Sequence, residues 1–130
     1  MDQAEEQRRW ETAQELSQAA DAAFTQKLYR ASIGHAYYAC FQAMWMGLGD
    51  PPQGQWRHVG ITRSFCHGRW ADPPVVTTSL ATLHQRLLAL YELRLDAHYR
   101  ARLISLQQAH QGLDTVTEVM QLVQQYKGKR

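Results

Sequence analysis

The chain has 130 residues, a formal net charge of +2 and 45% hydrophobic residues. That is the size of a single domain spanning 1–130 with its own core, and the apolar content excludes a disordered or fibrous chain. The small positive charge, with a pI of about 8.7, does not by itself select a polyanionic partner.

The first residues, "MDQAEEQRRW", are polar and carry no signal-peptide pattern. No apolar run approaches the length of a membrane span, so a soluble, cytoplasmic protein is expected. Trp10, Ala13, Leu16, Ala20 and Phe24 then recur at three- and four-residue steps and predict a first helix. The periodicity breaks near Gln26–Tyr29. It resumes with Ala31, Tyr38, Phe41 and Met44/Trp45, which predict a second helix ended by "GLGDPP".

Prolines stand only at 51, 52, 73 and 74, in two Pro-Pro pairs that cut the chain into three pieces. The middle piece has room for one short helix. His58, Ile61 and Phe65 share one of its faces, and Trp56, Arg63, His67 and Trp70 share another. The third piece opens on Thr77, Thr78 and Ser79 as capping residues. Leu80, Leu83, Leu87 and Leu90/Tyr91 mark a fourth helix. After Ser105, a fifth runs through Ala109, Leu113, Val116, Met120, Val123 and Tyr126. Strand-like alternation is absent. The pattern predicts an all-α antiparallel bundle of four to five helices, with Phe41, Leu80, Leu83, Leu87 and Val116 in the core.

Cys40 and Cys66 form no Cys-x-x-Cys pair and read as free thiols, and no motif calls for a metal or another cofactor. The segment 56–70 holds Arg57, Arg63 and Arg69, two Trp, two His and no acid. Guanidinium groups suit phosphate and Trp suits base stacking. The plainer reading is a solvated face with its tryptophans packed on the bundle. His58 reads as a buttress of its helix start or the core. Tyr37 and Tyr38 point about 100° apart on a helix, so one packs inward while the other sits at a boundary.

The stretch "YELRLDAHYR" concentrates titratable groups at the end of the fourth helix. Arg94 and His98 form an i,i+4 pair and share a face, with Tyr99 beside them. An imidazole that moves protons next to a guanidinium that holds phosphate is a metal-free kit for RNA cleavage by the ribose 2′-hydroxyl. A purely structural reading has Arg94, Asp96 and His98 satisfying one another in a buried network.

From about Ala19 to Tyr126, the order of "ASIGHAYYACFQAM", "RHVGITRSF" and "LRLDAHY" resembles the HEPN domain family (higher eukaryotes and prokaryotes nucleotide-binding). The resemblance implies a helical bundle that homodimerises with its motif helices near the dimer cleft. It also implies a place beside a minimal nucleotidyltransferase in a toxin–antitoxin-like module. Many members are RNases, so Arg94 and His98 are expected as a composite catalytic site and Tyr99 as the residue modified by nucleotide addition. Arg57, Arg63 and Arg69 are expected to contact nucleic acid. The alternative is a non-catalytic module that binds nucleotide, RNA or a partner through the same cleft.

Overall fold

Five helices follow one another in the computed structural model, which describes residues 1–75 and 78–127, leaving aside the side chains of residues 78 and 79. They are α1 (Gln3–Thr25), α2 (Tyr29–Leu48), α3 (His58–Cys66), α4 (Thr78–His98) and α5 (Leu106–Tyr126). No strand occurs among the described residues. No helix among them is long and apolar enough to cross a membrane. The capping role expected of Thr77, Thr78 and Ser79 falls on side chains outside the described set.

Local chemistry explains most of the boundaries. Asp2 caps α1 by accepting from the Glu5 N–H at 2.7 Å. The expected break after Phe24 is the short turn 26–28, with Lys27 in the left-handed region at φ 64°. Gly49, at φ 84°, follows the last residue of α2 and supplies the backbone conformation that ends it. Ser105 and Gln108 form a reciprocal capping box at the start of α5. α4 runs unbroken through the charged stretch as far as His98.

α2 is the central helix, touching each of the other four. It pairs antiparallel with α1, where the Ser32 hydroxyl donates to the Ala20 carbonyl at 2.9 Å and Arg9 donates to Gln42 at 3.0 Å. It also runs antiparallel to α4, placing Tyr38 against Arg94. Against α5 it runs parallel, with Gly112 near Ile33 and Val123 near Gly47. Small buried residues (Ala13 and Ala20 on α1, Ala36, Ala39 and Ala43 on α2) let these helices approach closely. Ile33, Met44, Leu83, Leu90, Val116 and Val119 fill the space between.

Leu80, Leu83, Leu87 and Val116 are buried as expected, but Phe41 is only half-buried. It lies at the rim of α2, its ring against those of Trp45 and His58. In the middle piece, His58, Ile61 and Phe65 do line one face of α3, with Ile61 and Phe65 buried. The second expected face does not form. Trp56 and Trp70 lie outside the helix, and their indole N–H groups donate to the carbonyls of Gly49 (2.9 Å) and Phe65 (2.8 Å). The Trp70 ring stacks on Phe65 at 4.7 Å. Both tryptophans therefore pack on the bundle and are not free stacking platforms.

Candidate functional site

The boundary between α2 and α4 carries the site. Tyr37 and Tyr38 divide as helix geometry requires: Tyr37 is 5% exposed and Tyr38 42%. Arg94, on the facing side of α4, is only 7% exposed. Its Nη1 donates to the Tyr38 hydroxyl at 2.9 Å, while its buried Nε finds no acceptor among the described residues. The guanidinium carbon lies 4.9 Å from the centroid of the Tyr37 ring, 5.4 Å from Tyr38, and 5.6 Å from both Tyr91 and Tyr99. The negative faces of four phenol rings thus surround the cation. No carboxylate pairs with Arg94 among the described residues.

Behind the guanidinium stands a second layer. The Tyr37 hydroxyl bonds to His58 Nδ1, and the His58 ring stacks on Tyr91 at 5.1 Å. Burial pushes the Tyr37 phenol well above its ordinary range, so it keeps its proton and donates. Burial, and then the Arg94 charge, hold the His58 imidazole below its usual value. His58 is therefore the neutral acceptor, and it buttresses the helix start as its place in the sequence suggested.

On the open side lies a cavity of about 340 Å³ lined by Ala31, Gly34, His35, Tyr38, Arg94, His98 and Tyr99. The structure thus brings together Arg94, His98 and Tyr99, the three residues singled out at the end of α4. His98 reaches the cavity because Gly34 has no side chain: a Cβ there would overlap His98 Nε2. Tyr99 follows the helix end and is 72% exposed. No acidic residue lines the cavity.

The proposed Arg94–Asp96–His98 network does not exist. Residues two apart on a helix do not share a face. Asp96 instead accepts from Arg100 at 3.0 Å and lies 3.5 Å from Arg102, while His98 sits over Gly34. This pairing draws Asp96 away from Arg94. The flanking cations Arg100 and Arg102 are consequently engaged with carboxylates, Arg100 also reaching Glu92 at 3.0 Å.

Arg57, Arg63 and Arg69 lie outside this cavity, just before α3, within it and in the turn after it. All three are exposed and unpaired with acids among the described residues. Cys40 is buried and Cys66 half-buried; burial, with Glu118 nearby, pushes the Cys66 thiol up to about 12, far from a reactive thiolate.

Sequence reasoning passed over Gly34 and His35. Their signal is the i, i+3, i+4, i+7 series Ala31, Gly34, His35, Tyr38, a face of small and polar residues on an otherwise apolar helix. No protein-family model and no curated protein matches the chain.

Proposed function

We propose that this chain is a HEPN-type module whose α2–α4 cavity takes a phosphate group of RNA, with Arg94 holding the phosphate and His98 moving a proton in metal-independent cleavage. One observation carries the reading. Arg94 is a buried, permanently charged group that no carboxylate neutralises, and it opens on a cavity without acidic lining. Burying a charge unpaired is costly, and an incoming anion offsets that cost. A guanidinium already fixed by the Tyr38 hydroxyl and by four rings, that of Tyr38 included, presents its fork with little left to order.

Other features support the remaining parts of the proposal. The order of the three motifs resembles the HEPN family. The exposed Tyr99 hydroxyl suits nucleotide addition by a minimal nucleotidyltransferase, which would silence a toxin–antitoxin-like module at the mouth of the cavity. Tyr99, Leu103 and Leu106, 72%, 87% and 56% exposed, suit a homodimer contact next to the site. Arg57, Arg63 and Arg69 are free to hold further phosphates.

A second reading is a non-catalytic module that binds nucleotide, RNA or a partner through the same cavity. The spacing favours it: three residues separate Arg94 from His98, where the HEPN nuclease signature has four to six. The test is cleavage of single-stranded RNA in a chelating buffer. The first reading predicts cleavage by the wild type and its loss in His98→Asn, which retains RNA binding. Tight binding without cleavage selects the second reading.

A further inference from the structure

Breaking a phosphodiester without a metal needs one group to take the proton of the attacking hydroxyl and another to give a proton to the leaving oxygen. Arg94 does neither, because a guanidinium keeps its protons. His98 supplies one such group. The sequence motifs suggest that the second comes from the His98 of another copy.

The cavity holds a second imidazole of its own. His35 is half-buried on α2 and lines the same space as His98 and Arg94. Its place follows from the helix. It comes directly after Gly34, over which the His98 ring sits, and one turn before Tyr38, which accepts from Arg94. Neither His35 nor His98 makes a hydrogen bond or ion pair with any described residue. Both rings line the cavity, and no described residue occupies their nitrogens. The charged or titratable groups that share the space are Arg94, Tyr38 and Tyr99, with no carboxylate among them.

Resting on the reading that this cavity takes an RNA phosphate, we infer that His35 and His98 of a single protomer are the acid–base pair that cleaves it. The neutral imidazole takes the proton of the ribose 2′-hydroxyl as that oxygen bonds to phosphorus. The protonated imidazole gives its proton to the 5′-oxygen as the P–O5′ bond breaks. The products are a 2′,3′-cyclic phosphate and a free 5′-hydroxyl. One ring gains a proton and the other loses one, so the total charge of the pair is unchanged and nothing else is consumed. Arg94 meets the charge that builds on the non-bridging oxygens.

The experiment compares the full chain with His35→Asn and His98→Asn, and with a 1:1 mixture of the two, on a single-stranded RNA under single-turnover conditions. Wild type is expected to leave a 2′,3′-cyclic end and to show an acidic and an alkaline limb in its pH–rate profile. Each variant is expected to lose about 10²–10⁴-fold in rate and one of the two limbs, while RNA affinity changes little. The mixture is expected to stay as slow as its components. His35→Gln, with a melting curve for every variant, separates lost chemistry from lost folding. Cleavage by both His35 variants at the wild-type rate with both limbs overturns the inference and leaves the RNase reading standing. Recovery of activity in the mixture overturns it too, by placing the two imidazoles in different protomers. Wild-type protein that binds RNA and leaves it intact overturns the cleavage reading itself, and the pair with it.

Discussion

Gly34 sits inside α2, where alanine is worth up to about 1 kcal/mol more than glycine. The nearest atoms to a Cβ there all belong to the His98 ring, the far end of an exposed side chain. Gly34→Ala is therefore expected to leave the melting temperature unchanged or raise it, while driving His98 out of the cavity and lowering RNA cleavage as His98→Asn does. Adding His98→Asn to Gly34→Ala is expected to cost nothing further in rate. His58 gives a second prediction, with its sign set by burial. Its imidazole is held below the ordinary value of about 6.5 in the fold, so the unfolded chain binds that proton more readily. The stability tied to neutral His58 is present above that value and is lost as pH falls through it. Denaturation of His58→Asn is expected to depend less on pH between about 7 and 5 than that of the wild type. The candidate residues at 94, 98 and 99 were legible because one helical turn separates the first two. Their surroundings were not, because the site joins Gly34 and Tyr37 on one helix to Tyr91 and His98 on another, residues more than 50 positions apart in sequence.

The helices themselves were legible from periodicity and from their stops: the two Pro-Pro pairs, Gly49 and Ser105. Ser105→Ala removes one half of the capping box and is expected to cost about 1 kcal/mol in urea denaturation. What periodicity missed was the middle piece. Its residue pattern places Trp56 and Trp70 on a helix face, but α3 is nine residues long and each indole instead closes a turn onto a carbonyl. Gly68 organises the turn after α3. It has φ 74°, accepts from the N–H groups of Ala71 (3.3 Å) and Val75 (3.0 Å), and has the Val75 carbonyl where a Cβ would go. Gly68→Ala adds the left-handed cost of roughly 1–2 kcal/mol to an overlap with backbone that cannot swing aside. It is expected to be more destabilising than Ser105→Ala in the same assay, and equal midpoints would count against this account of the turn. Phe41 was misread for a related reason: its spacing marks the apolar side of α2, but that side is wider than the face that α4 and α5 cover.

At the scale of the molecule, α2 packs against all four other helices, and the exposed apolar residues Tyr99, Leu103 and Leu106 continue from the mouth of the cavity along the α4–α5 connection. A homodimer through this end is expected, and the double variant Leu103→Glu with Leu106→Glu is expected to sediment as a monomer. A wild type that is monomeric at micromolar concentration contradicts it. The central claim is that an unpaired, ring-enclosed guanidinium waits for a phosphate, and lysine tests it because lysine keeps the charge and loses the planar fork. The direct measurement is the affinity of a short labelled single-stranded RNA for wild type and for Arg94→Lys, by fluorescence anisotropy across a salt series, on proteins with matched melting curves. The account predicts salt-sensitive binding by the wild type and at least about tenfold weaker binding by Arg94→Lys, a difference of roughly 1.4 kcal/mol. Equal affinities, or no RNA binding by the wild type, would contradict it.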